Sequence, residues 1–207
     1  MGYCDGSMEI RSRPRWFLHR LHTWLSPADA PRSADIIFVL AGRVHRKEYA
    51  LKLFLEGCAP RIMFSVGRFE IRRFSKMPLP VPLDLLKLAQ GVPPPQRHYF
   101  AFFEGQEVRV EHVPPRRFGT ITEIESLGRW LVMNPDIRSV LVVSSDAHLR
   151  RIRMCCRHLL NANLQIAFLA APFSARETEQ ESALRSAVDD LLELFKLSIY
   201  WVLLKIR

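Results

Sequence analysis

The chain has 207 residues, 48% hydrophobic and 25% charged, the balance of an ordinary globular protein. That length suits one domain with a full hydrophobic core, and excludes disorder, a collagen-like repeat or a small disulfide scaffold. Thirty Lys+Arg against 21 Asp+Glu leave +9 at pH 7, which admits a small anionic ligand, an anionic membrane surface or nucleic acid as partner.

Residues 11–25 alternate bases with Trp16, Phe17, Leu18, Leu21, Trp24 and Leu25. They lack the unbroken apolar stretch of a secretory signal and read as a basic amphipathic helix lying on something. Residues 1–33 are therefore set apart from a single domain over 34–207. Residues 34–40 form a short apolar run ending in Ala41-Gly42, the pattern of a buried strand. Residues 43–56 then place Ala50, Leu51, Leu53, Phe54 and Leu55 at helical recurrence, closed by Gly57. A second buried strand covers 61–67. Six prolines between 78 and 95 frame a short helix at 83–90, inside an insert spanning about 77–115. Residues 98–104 read as another sheet strand and 108–113 as a shorter strand or edge ribbon. A helix opening at Thr120 runs to Leu131, a strand covers 138–145, a helix 146–160, and a last strand 164–170. Strands alternating with helices predict an α/β fold with a mostly parallel sheet of about five strands.

The C-terminal helix, about 180–206, is strongly apolar, yet Asp189, Asp190, Glu193 and Lys196 interrupt it. Its charge-free stretch, 197–204, is far short of the ~20 residues that a spanning helix needs. It reads as a helix packed on the domain, on a partner chain in a homo-oligomer, or on a membrane surface with Tyr200 and Trp201 at the interface. Cys4, Cys58, Cys155 and Cys156 contain no C-x-x-C spacing, which predicts reduced, partly buried thiols and no structural metal.

Open α/β sheets bind ligands at the carboxyl ends of their strands. Three strand ends here carry small residues that lead into a base: Ala41-Gly42-Arg43, Ser65-Val66-Gly67-Arg68 and Ser144-Ser145-Asp146-Ala147-His148. No dinucleotide or P-loop fingerprint is among them. On a helix, His148 and Arg151 share one face, while Arg150, Arg153 and Arg157 cluster on another. Asp146 also suits an N-cap, and His148 a packed core position. Thr120 with Glu123, and Thr122 with Glu125, have capping-box spacing, which accounts for them without any catalytic role.

In order along the chain, these segments resemble the YdcF/SanA/ElyC family, a bacterial domain with a Rossmann-like fold. The likeness is carried by Val39-Leu40-Ala41-Gly42, Arg46 with Ala50, Gly57-Cys58-Ala59-Pro60 and Ser65-Val66-Gly67. Thr120 with Glu123, and Ser144-Ser145 followed by His148 and Arg151, complete it. Arg43 and Val66 stand where the family has glycine. The resemblance implies a Rossmann-like three-layer sandwich flanked by N- and C-terminal helices, a link to envelope or cell-wall processes, and S-adenosylmethionine as one candidate ligand. It establishes no common reaction, so an enzymatic activity stays open.

The expected site at the sheet's carboxyl edge comprises Gly42, Arg43, Arg46, Ser65, Gly67, Thr120, Glu123, Ser145, His148 and Arg151. Arg46 and Arg151 would neutralise an anionic group, and the backbone at Gly42 and Gly67 would complete a cradle. His148 would act as acid or base, with Glu123 as its partner. The charge excess lies in the same windows: residues 43–76 hold nine bases and three acids, and 116–157 hold eight and four. The expected partner is a small anionic ligand bound by a cytoplasmic protein, with peripheral contact to the inner membrane. The alternative is a non-catalytic membrane-surface adaptor in envelope assembly. No DNA-reading motif supports nucleic acid.

Overall fold

The computed structural model describes residues 20–114, 119–172 and 179–206. Cys4 and most of the basic amphipathic segment, including Trp16, Phe17 and Leu18, lie outside those residues. The described part of that segment is helical over 20–25 (α1). The chain then runs β1 (Ile36–Val39), α2 (Val44–Leu55), β2 (Arg61–Gly67), α3 (Ile71–Phe74), α4 (Leu85–Leu88), β3 (His98–Glu104), β4 (Glu107–His112), α5 (Gly119–Met133), β5 (Ser139–Ser144), α6 (Leu149–Leu159), β6 (Gln165–Ala170) and α7 (Glu179–Ile206).

The strands form one six-stranded sheet in the order β4-β3-β2-β1-β5-β6. The pairs β2–β1, β1–β5 and β5–β6 are parallel, whereas β3 pairs antiparallel with both β2 and β4. The expected five strands become six, because 107–112 pairs along its whole length with β3. Gly105 has φ 55 and no other residue of that turn has positive φ, the signature of a two-residue II′ hairpin. About a third of the proline-framed insert thus belongs to the central sheet.

Strand alternation sends side chains to two cores. Ile37, Val39, Ile62, Phe64 and Phe103 pack under α2, α3 and α4, with Phe74 edge-on to Phe64 at 5.3 Å. Ile36, Phe38, Val140, Val142 and Phe168 pack under α5, α6 and α7. Helix, sheet and helix make the three-layer α/β sandwich that the alternating pattern predicts.

Three local features hold the ends in place. Asp35 Oδ2 accepts from Ser139 N, Ser139 Oγ and Arg138 N, which fixes β1 beside β5. Asp29 N donates to the Phe168 carbonyl and Phe168 N donates to Asp29 Oδ2, which covers the edge of β6. Arg153 holds Asp29 at 2.9 Å, and the Arg150 guanidinium lies 3.7 Å above the Trp24 ring. Arg150 and Arg153, on the second arginine face of α6, therefore pin the N-terminal strap, which accounts for two bases that a small ligand leaves unused. The expected continuous helix at 146–160 begins instead as a 3₁₀ turn, Asp146–His148, and becomes α-helical at Leu149. Asp146 Oδ1 accepts from Ala147 N rather than capping α6.

Among the described residues, no helix is long and apolar enough to cross a membrane. Helix α7 lies against α6 and the 3₁₀ turn at 146–148 through Asp190, Glu193, Tyr200 and Leu204.

Candidate functional site

The strand order reverses between β1 and β5, so their carboxyl ends part and leave a crevice. Beyond β1 the chain turns sharply at Gly42, with φ 140. A Cβ there would stand 2.5 Å from Arg46 Nη1, so glycine serves both the backbone and the guanidinium behind it. Beyond β5, Ser145 and the 3₁₀ turn carry His148 to the opposite wall. A cavity of about 140 Å³ lies between, lined by Gly42, Arg46, Glu123, Ser144, His148 and Arg151 among others. Arg46 and His148 also line an adjoining cleft of about 180 Å³, reached past Arg43, Asp146 and His22.

Arg46 is 5% exposed, and its hydrogen bonds go to neutral oxygens: Nε to Ser145 Oγ at 2.7 Å and Nη1 to the Ala41 carbonyl at 2.9 Å. Burial lowers its pKa to about 10, opposed by the more distant carboxylates of Glu123 and Glu70. Ser144 Oγ is fully buried and has no hydrogen-bond partner among the described residues.

Arg151 is differently placed. Its Nε and Nη2 reach Glu193 at 2.9 and 3.4 Å, and Nη1 donates to Thr120 Oγ1. Glu193, 1% exposed, also receives Lys196 at 2.9 Å and stands 3.0 Å from His148 Nδ1, a contact too far off line to make a good hydrogen bond. Burial pushes the Glu193 carboxyl up, but His148 and Arg151 outweigh it and hold the group well below the usual carboxylate range. His148 is pushed down by burial, aided by Arg46, against the pull of Glu193, which favours the neutral imidazole.

Ten residues were expected at this edge, and their placement divides. Gly42, Arg46, Thr120, Glu123, His148 and Arg151 line the cavity, and Ser145 and Arg43 line the cleft beside it. Ser65 is turned toward β3, where its hydroxyl meets His98 Nε2 at 2.7 Å, and Gly67 packs beside Glu70; neither lines the cavity. The expected backbone cradle is also altered. Gly42 N donates to Glu70 Oε1 and Ala41 N to Glu123 Oε1, both at 2.7 Å, so two carboxylates already hold the amides of this turn. That contact replaces the expected capping and acid–base partnership of Glu123, since His148 meets Glu193 instead.

Five ionisable groups that spacing does not reveal shape the site. Lys47, buried in the first turn of α2, pairs with Glu70; burial drives the ammonium pKa down and the carboxyl pKa up. Glu193 reaches in from α7, and His98 backs Glu123 at 3.9 Å. At the mouth, His22 bridges Asp146 at 3.1 Å and Asp190 at 3.2 Å. The one legible signal was in α7, where acids interrupting an apolar helix mark positions that need buried partners.

Elsewhere, a larger open hollow of about 1010 Å³ lies at the amino edge of the sheet, and none of the buried charged residues described lines it. Burial pushes the Cys155 thiol up to about 12 and Cys156 higher still, which makes both poor nucleophiles. No cluster of metal-ligating residues occurs among the described residues. No family model matches the chain, and neither a curated protein nor a solved structure matches it.

Proposed function

We propose that the chain binds a small anionic ligand at the β1/β5 crevice, of nucleotide, S-adenosylmethionine or sugar-phosphate type. On this reading it is a YdcF-like protein serving envelope or cell-wall processes. The observation that carries the ligand site is Arg46, a buried guanidinium whose hydrogen bonds among the described residues go to neutral oxygens. Buried charges ordinarily have a charged partner, and an incoming anion supplies one. The unpartnered Ser144 hydroxyl in the same cavity is a ready donor to that anion. About 140 Å³ suits the anionic group alone, and the adjoining cleft takes the remainder of the molecule. His148, favoured neutral, is equipped to accept a proton there if a reaction follows.

Thermal-shift titration with inorganic phosphate, nucleotides, S-adenosylmethionine and sugar phosphates tests this. The wild type is stabilised by at least one, and Arg46→Met, which keeps the volume but not the charge, loses that shift. No shift in the wild type, or equal shifts in both proteins, sinks the assignment.

A second reading, contact with an anionic membrane surface, is favoured by a different observation. Arg68, Arg72, Arg73 and Lys76 are exposed around Phe69, which is 82% exposed with the Arg68 guanidinium 4.3 Å from its ring. An aromatic tip ringed by bases matches an anionic lipid interface. Phe69→Ser with Arg72→Ser and Arg73→Ser is expected to abolish flotation with phosphatidylserine vesicles and leave ligand-induced shifts intact.

A further inference from the structure

Helix α7 buries one side against the domain and leaves a row of large apolar side chains on the other. Val188, Leu192, Phe195, Ile199, Val202 and Ile206 are each between 37% and 78% exposed. Their spacing is four, three, four, three, four, the a/d alternation of a heptad rather than scattered exposure. Over 19 residues, at 1.5 Å per residue, the seam is about 27 Å long.

We infer that this seam is the interface with a second copy of the chain, the two α7 helices packing against each other. The row complements itself. With the copies antiparallel about a dyad level with Leu197, Val188 meets Ile206, Leu192 meets Val202 and Phe195 meets Ile199. Every layer then pairs a larger side chain with a comparable or smaller one. A parallel pair would set Phe195 on Phe195 beside Val202 on Val202, which overfills one layer and underfills another. Six half-exposed side chains with Leu191 beside them, at roughly 100 Å² apiece, approach the ~800 Å² per partner of a standard interface. The flank of the seam is poorly suited to anionic lipid, because Lys196 is already bound to Glu193 at 2.9 Å. A two-fold pairing also closes, so the exposed row is consumed without leaving an open end.

Sedimentation equilibrium of the full chain across a broad dilution series tests the pairing. The wild type is expected to approach twice the 24.0 kDa chain mass at high concentration and to fall to one on dilution. Phe195→Lys/Ile199→Lys stays at one chain mass throughout, with the circular dichroism spectrum of the dilute wild type. Val202→Glu/Ile206→Glu, at the other end of the seam, does the same and guards against a local folding defect. A wild type that is monomeric at every concentration overturns the inference, as does a dimer that survives both variants. Monomeric wild type that floats with phosphatidylserine vesicles, when the Phe195→Lys/Ile199→Lys protein does not, overturns it in favour of a bilayer. Ligand-induced thermal shifts read different residues, so failure here leaves the crevice assignment standing.

Discussion

Glu193 is the residue on which the crevice turns. It offers one buried carboxylate to Arg151, Lys196 and His148, and it comes from an element far along the chain from all but Lys196. Removing one member of a buried charged cluster leaves the others uncompensated, so Glu193→Ala is expected to cost about 3 kcal/mol in urea denaturation. Because the folded carboxyl lies below its unfolded value, its contribution is fully present above the ordinary carboxylate range and fades as pH falls through it. The difference between wild type and Glu193→Ala should therefore narrow in acid; a constant difference would falsify the ion-pair account. Arg46, His148 and Arg151 were legible from sequence because strand ends and helix starts are local patterns. Glu70 and His98 were not, since each looks like an ordinary surface or strand-end residue until the fold brings it to the site, and Glu193 shows in sequence only as an acid interrupting an apolar helix, with no sign of its partners. Glu123 lines the cavity, but its carboxylate accepts from the amide of Ala41, 82 residues away, a link that no spacing rule supplies.

Among the elements, α1 is short, yet it ties two others together. His22 stands between Asp146, on the turn after β5, and Asp190, on α7. Asp146 foremost, then Asp190, raise its pKa to about 9 against the cost of burial. A raised imidazole stabilises the folded state fully below its unfolded pKa and loses that contribution as pH climbs toward 9. The strap should hence loosen in mild alkali. Limited proteolysis after Arg20 is expected to accelerate between pH 7 and pH 9 in wild type, while His22→Gln is cut quickly throughout; equal rates at both pH values would sink this view. Sequence patterning located the strands well, because a strand buried on both faces is a continuous apolar run. At 108–113 it left a choice between a short strand and an edge ribbon, because polar residues alternate there on an edge that faces water on one side.

On the scale of the whole molecule, α7 closes the second core and supplies the crevice with its central carboxylate. Deleting residues 179–207 removes Tyr200 and Leu204 from the second core and strands Arg151 and His148 without their acid. The shortened chain is expected to lose its cooperative thermal transition, and a sharp melt near the wild-type midpoint would show that α7 is an appendage instead. The clamp of Asp35 on Ser139 has a consequence of another kind. These neighbours are 104 residues apart, so β1 and β5 pair only after the chain closes a very long loop. Closing it costs entropy that few earlier contacts repay, and such pairing comes late in folding. The hairpin β3–β4 and the unit β1–α2–β2 can form from nearby chain, but the crevice exists only when the two halves meet. In a refolding time course, recovery of anion binding should therefore trail the recovery of secondary structure, making the crevice a clock for the last step of assembly.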